Sequence, residues 1–295
     1  MIKILRVLRN LTNHPLVRDR KLNTIGKFFK WQIGTKLNPY PVVYPFIGSS
    51  KMIIKKGMGG ATGHIYTGLF EFEDMAFVLH FLKPNDLFVD IGANVGSYTV
   101  LASGVKKAHT IAIEPIPITF DHLLNNIAIN KIENIVTALN IGLGAKQDKL
   151  RFTASLDAVN HVVAEFETIE QSIEVKVDTL DSVLSEKQPL LLKIDVEGFE
   201  TEVLKGAEKT LQSKELKAII IELNGSGTRY GYDENAIHQK LLEYGYLPHT
   251  YDPFKRQLIK LKMYGKYNTI YLRDFEFITQ RVQSGEAIKI FGKRI

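Results

Sequence analysis

The chain contains no cysteine, which excludes disulfides, thiolate metal sites and a cysteine nucleophile and fits a reducing compartment. No apolar stretch approaches the roughly 18 residues a membrane-spanning helix needs. The opening "MIKILRVLRNL" is cut by Arg6 and Arg9 where a secretion signal requires an unbroken apolar run. A cytoplasmic protein is the expectation, so the glycosylation sequons Asn10-Leu11-Thr12 and Asn224-Gly225-Ser226 read as accidental. There is no internal repeat. With 45% hydrophobic and 24% charged residues over 295 positions, neither disorder nor a fibre fits, and one sizeable core does.

Basic excess is missing from most of the chain. Residues 1–36 carry nine Lys/Arg against Asp19 alone, a net +8, whereas residues 37–295 net 29 − 31 = −2. This argues against a nucleic-acid binder and marks a local basic extension. Within it Ile4, Leu5, Leu8 and Leu11 share one helical face, with Lys3, Arg6 and Arg9 mostly on the other. Two readings stay open: a helix packed on the main domain with solvated charges, or a peripheral contact with the anionic inner face of a membrane.

Residues 37–68, proline-rich in "NPYPVVYPF" and glycine-rich in "KGMGGATGHIYTG", read as an irregular connection, either closing over a ligand or merely crossing the surface. Met75, Val78, Leu79 and Leu82 predict a helix over 71–81 that leads to a turn at Pro84-Asn85. Strands are predicted at "LFVDI" (87), "HTIAIE" (109), "IVTALN" (135), "LLLKID" (190), "KAIIIE" (217) and "NTIYLR" (268), and helices at 97–105, 117–130, 199–212 and 234–244. Apolar strands alternating with helices imply a parallel sheet covered on both faces, a doubly wound α/β fold. "LRFTA" and "SIEVKV" predict an additional strand pair around the polar loop "SLDAVNHV". Ligands in such folds bind outside the carboxyl ends of the strands.

"DLFVDIGANVGSYTV" passes from a strand through Asp90, Gly92 and Gly96 into a helix, which suggests small residues and free backbone N–H groups beside a ligand. The dinucleotide fingerprint G-x-G-x-x-G is broken, because Asn94 stands at its second glycine. An acid at the strand tip repels phosphate and attracts an ammonium or sulfonium group. In "TIAIEP", Glu114 lies 24 residues beyond Asp90, where a carboxylate accepts hydrogen bonds from a ribose diol. The pair favours a nucleoside with a cationic tail, such as S-adenosylmethionine.

The sequence resembles the FkbM-type methyltransferases over about residues 57–273, on "YTGLFEFEDMAF", "DLFVDIGANVGSYT", "EPIPITFDHLLNNIAIN", "LLLKIDVEGFETEVLKGA" and "IIIELNG". The resemblance implies a class I methyltransferase (Rossmann-like) fold with a mostly parallel seven-stranded sheet, its last strand antiparallel. It divides the chain into a basic, partly helical extension (1–56), the methyltransferase domain (57–275) and a tail (276–295). It also implies S-adenosyl-L-methionine as cofactor and a hydroxyl of a sugar, glycan or natural-product precursor as acceptor.

By the resemblance, Asp90, Gly92, Asn94 and Gly96 surround the methionine part and Glu114 the ribose. Glu71 approaches the cofactor's amino group or is a solvated helix-start acid, and Asn140 lies near the adenine or forms a turn. A hydroxyl is a poor nucleophile and needs help to lose its proton. Asp195 and Glu197 are the leading candidates, Asp195 nearest the methyl, although an acid before a helix also stabilises its N-terminus. His161 is a candidate base and Asn160 an acceptor ligand, while Glu222 and Asn224 either line the acceptor pocket or shape a turn. Tyr98 either packs in the core or faces the sulfonium. Neither Asp195/Glu197 nor Asp178/Asp181 has the spacing of a recognised metal motif, so no metal is expected. The alternatives are a nicotinamide-dependent oxidoreductase and a non-catalytic scaffold of the same fold held at a membrane.

Overall fold

The computed structural model describes residues 2–153, 160–164, 166–167 and 171–295, with only the backbone at positions 2 and 3; most of the loop "SLDAVNHV" lies outside the described residues. Helices α1 (Ile2–Asn13) and α2 (Lys21–Leu37) open the chain. The stretch expected to be irregular is ordered instead. Strands β1 (Val42–Pro45) and β2 (Lys51–Ile54) form an antiparallel hairpin, followed by α3 (Gly59–Thr67). Packing overrides the breakers: Met52 and Ile54 of β2 bury against Ile65 and Tyr66 of α3. Gly63 is a contact residue, since a Cβ there would stand 2.3 Å from the Phe70 ring. Leu11 and Phe28 join the same cluster as Val95 within the glycine turn and Val100 just beyond it, so the basic extension shares a core with the residues around that turn.

After α4 (Phe72–Phe81) the chain enters the main sheet through β3 (Leu87–Ile91), α5 (Ser97–Thr99), which continues as a π-helix over Val100–Val105, β4 (His109–Ile113), α6 (Pro117–Asn130) and β5 (Val136–Leu139). A small side sheet is made of β6 (Gly142–Leu143), β7 (Asp148–Thr153) and β8 (Ser172–Asp178), the last two being the predicted extra pair. Then follow α7 (Leu180–Leu184), β9 (Leu191–Ile194), α8 (Glu200–Lys205), α9 (Glu208–Gln212), β10 (Ala218–Glu222) and α10 (Glu234–Glu243). The chain finishes with β11 (Leu247–Asp252), β12 (Gln257–Lys260), β13 (Asn268–Leu272), α11 (Phe275–Gln283) and a small hairpin of β14 (Lys289–Ile290) and β15 (Lys293–Arg294).

The main sheet has the order β12-β11-β13-β10-β9-β3-β4-β5. Strands β10, β9, β3, β4 and β5 are parallel, and β13 inserts antiparallel between β10 and β11. The doubly wound α/β architecture with an antiparallel last strand is the expected one. Its strand count is corrected from seven to eight. The β11–β12 hairpin escaped the sequence reading because β11 contains Pro248, His249 and Thr250, and β12 buries only Leu258.

Alternation of side chains builds two cores. Phe88 and Ile220 face one side with Phe77 and Phe81 of α4 and Ile278 and Val282 of α11. Val89, Ile91, Ile219 and Ile221 face the other, with Leu204, Leu211 and Leu241 from α8 to α10. The C-terminal Ile290 and Ile295 also pack into the first core.

Candidate active site

Four isoleucines in register, Ile113, Ile91, Ile194 and Ile221, close the central parallel strands. The next residue in each strand path, Glu114, Gly92, Asp195 and Glu222, therefore emerges beside its neighbours at the carboxyl edge. All four line one cleft of about 420 Å³, a volume suited to a small molecule.

Gly92 has φ +77°, and a Cβ there would stand 1.8 Å from the Asp195 carbonyl oxygen, so only glycine fits. Gly96 has φ +89°, and its Cβ would meet Leu123 at 2.5 Å. The backbone N–H groups expected to be free are all engaged. Those of Gly92 and Ala93 donate to the Ile113 carbonyl (3.0 and 2.9 Å), and that of Gly96 to the Ala93 carbonyl (2.8 Å). Asn94 N–H donates to Glu114 Oε2 (3.0 Å), and Val95 N–H to Asn94 Oδ1 (2.7 Å). The turn thus offers no cradle of donors to a phosphate.

Glu114 also accepts the Ile116 N–H on Oε1 at 3.0 Å, which leaves acceptor capacity on both oxygens; burial pushes its pKa up to about 7. Asp90 is buried and accepts the Thr99 hydroxyl at 2.6 Å. Burial raises its pKa to about 6, against the opposing pull of Thr99 and Lys193. Glu71 precedes α4 and accepts from Asn268 Nδ2 at 3.1 Å. Lys193, fully buried, donates to Asp195 Oδ2 (3.0 Å) and Asn268 Oδ1 (3.1 Å). Burial alone would lower its proton affinity, but the Asp195 and Glu71 carboxylates outweigh it and raise its pKa. Tyr98 lines the cleft, and its buried hydroxyl makes no hydrogen bond among the described residues.

Carboxylate oxygens of Asp195, Glu197 and Glu222 lie within 4.8 Å of one another. Among the described residues this is the group whose ligand atoms converge closely enough to hold a cation; spacing along the chain hid it because Glu222 comes from the neighbouring strand. Burial and then the Asp195 charge push Glu222 up to about 9 and Glu197 to about 7. Glu197 sits at φ +54°, a left-handed conformation costing roughly 1–2 kcal/mol. The loop is held there from two sides. Glu200 Oε1 accepts the Val196 and Gly198 N–H groups (3.1 and 3.2 Å), and Arg229 Nη1 donates to the Glu197 carbonyl (3.1 Å).

Sequence reasoning missed Glu200 and Arg229, and also His64, whose Nε2 is 3.0 Å from Ser97 Oγ in the cleft wall. His64 Nδ1 accepts the Phe70 N–H at 3.2 Å, so the ring proton sits on Nε2 and is donated to Ser97. Burial lowers the His64 pKa to about 3, keeping the ring neutral; it orients Ser97 and does not act as its base.

Asn94 and Asn160 line the cleft with the acids. Four predicted residues are not in its lining: Gly96, whose missing Cβ makes room for Leu123, and His161, Asn140 and Asn224. The buried His161 directs Nε2 to Glu167 at 3.1 Å. Asn140 pins the loop after β4, donating to the Glu114 and Pro115 carbonyls (2.8 and 3.0 Å), and Ile141 reaches the cleft in its place. Asn224 accepts the Ser226 N–H at 2.9 Å within its own turn.

The sequence is similar to those of several methyltransferases. The chain is 33% identical over 147 residues to the hexuronic acid methyltransferase AglP of Haloferax volcanii, covering 48% of this chain and 57% of that protein. It is 30% identical over 172 residues to the methyltransferase sdnD of Sordaria araneosa, covering 47% and 66%. It is 25% identical over 192 residues to the 31-O-demethyl-FK506 methyltransferase FkbM of Streptomyces tacrolimicus, covering 51% and 73%. The chain thus spans less than two thirds of the length of the first two. The family model of the methyltransferase FkbM domain matches residues 90–248, 159 of 295 positions. From the acid before the glycine turn to the start of β11, the chain belongs to the FkbM methyltransferase domain family.

Proposed function

We propose that the chain is an S-adenosylmethionine-dependent O-methyltransferase whose acceptor is a hydroxyl of a sugar, glycan precursor or polyhydroxylated natural product. The observation that carries this reading is the convergence, on one cleft, of a turn with no spare backbone donor, a carboxylate with two partly open oxygens, and a cluster of three acids. When bound, the cofactor supplies an electrophilic methyl group on a cationic sulfur. Asp90, Glu71 and the cluster make the lining anionic, which favours a sulfonium and an ammonium over a phosphate. Glu114 has the acceptor capacity that ribose hydroxyls need, and the bare Gly92 in the cleft wall allows close approach. These features also argue against a nicotinamide dinucleotide, whose pyrophosphate would meet acids and occupied N–H groups.

On the acceptor side, Asp195 is fixed by Lys193 and is suited to accept a hydrogen bond from the reacting hydroxyl. Glu222 holds a proton before any ligand binds; once ionised beside a cationic ligand, its carboxylate would take the hydroxyl proton, and Glu197 orients a neighbouring hydroxyl. Holding these groups in place removes orientational freedom from the reaction. The relatives named for a hexuronic acid and for 31-O-demethyl-FK506 support an oxygen acceptor. The test is incubation with methyl-labelled S-adenosylmethionine and an extract of sugar nucleotides and glycan precursors. A product carrying one labelled methyl on oxygen is expected in mass spectra; hydride transfer with a nicotinamide cofactor and no labelled product would overturn the proposal.

A further inference from the structure

Nine of the nineteen large apolar side chains that stand exposed among the described residues lie between Ile4 and Val43, a small fraction of the 295 positions. Helix α2 concentrates the anomaly. Its inward face buries Thr24 and Phe28, the Phe28 ring lying 5.6 Å from that of Tyr66. Leu22, Phe29, Ile33 and Leu37 recur at i, i+7, i+11 and i+15, which at ~100° per residue confines them to about 80° of arc on the opposite side. They are 86%, 47%, 59% and 81% exposed. A helix that only packed on the domain would be polar there. Exposed Lys30 and Lys36 border the stripe. The one acid in residues 1–36, Asp19, is already paired with Lys293 at 2.8 Å.

We propose that this face is a peripheral docking surface for an anionic lipid bilayer. The apolar stripe would enter the boundary between headgroups and acyl chains while the flanking lysines meet lipid phosphates, the arrangement of an interfacial amphipathic helix. Charge selects this occupant. The extension carries +8 and the rest of the chain −2, so a second copy docking through the same face would set two strongly positive surfaces against each other. Docking is from one side, because no helix among the described residues is long and apolar enough to cross a membrane.

The test uses the full chain and sedimentation with vesicles of phosphatidylcholine, alone or with one third phosphatidylglycerol. Partitioning at least tenfold stronger on the anionic vesicles is expected. It should fall with added salt, as the screening length shortens from about 8 Å at physiological ionic strength to about 3 Å at 1 M. The variants Phe29→Ser/Ile33→Ser/Leu37→Ser and Lys30→Glu/Lys36→Glu should each lose at least tenfold in partitioning, with far-ultraviolet circular dichroism unchanged. Absent partitioning, equal binding to neutral vesicles, or folded variants that bind like the wild type would overturn the proposal. So would a concentration-dependent dimer lost in the apolar variant without vesicle binding, which would assign the face to a second copy.

Discussion

At the β3–β4 side of the cleft, Asp90, Glu114 and the N–H groups from Gly92 to Gly96 all have protein partners. At the β9–β10 side, three carboxylates crowd within 4.8 Å of one another, one on a left-handed backbone. The first side is relaxed before any ligand arrives; the second holds mutual repulsion and strain that a substrate can relieve. On the proposed function, binding specificity and chemistry separate along the sheet, and substitutions on the two sides should separate in the same way.

The largest effect is expected at the crowded side. Glu222→Gln or Asp195→Asn should lower kcat by roughly 10²–10⁴-fold, the range for loss of a proton-transfer group, with cofactor Kd nearly unchanged. Equal losses in kcat and cofactor affinity would erase the division. At the relaxed side, Gly92→Ala forces a methyl to within 1.8 Å of the Asp195 carbonyl oxygen. It should abolish cofactor binding in calorimetry and lower Tm, because the two loops cannot both keep their places. Glu114→Ala should raise cofactor Kd by roughly 10- to 100-fold, as expected for a charged hydrogen-bond acceptor, and leave kcat at saturation within about threefold.

The smallest effect is on stability. Asp90, Glu114, Glu197, Glu200 and Glu222 have pKa values raised, mainly by burial, to about 6, 7, 7, 7 and 9. Each binds its proton more tightly folded than unfolded, so the stability it contributes is complete below the ordinary carboxylate values of 3.8 and 4.5 and is lost as pH rises from there through the folded values. The protein without ligand should melt a few degrees lower at pH 9 than at pH 6 in a thermal scan, at ~2–4 °C per kcal/mol. A saturating cation-bearing cofactor should narrow the gap.

The relaxed side was legible in the sequence because its elements are consecutive: an apolar strand, Asp90, two glycines, a helix, and Glu114 at the next strand's end. The crowded side was half legible. Asp195 and Glu197 stand in one motif, but Glu222 joins them only through the register of Ile194 with Ile221, a pairing that no local pattern states. His64 and Ser97 are 33 residues apart and meet only because α3 packs over the turn. That helix was itself read as a loop, since its glycines look like breakers until the Phe70 ring against Gly63 is seen. The β11–β12 hairpin was invisible for a related reason, because an edge strand exposed on most of its length shows no apolar run.

Calorimetric titration of S-adenosylmethionine into the protein near neutral pH, in buffers of differing ionisation enthalpy, tests the central claim most directly. The account predicts saturable one-to-one binding with release of protons, because a cationic ligand lowers the proton affinity of the acidic lining, and binding at least tenfold weaker in Glu114→Ala. No binding of this compound, with tight binding of a nicotinamide dinucleotide at the same cleft, would contradict it.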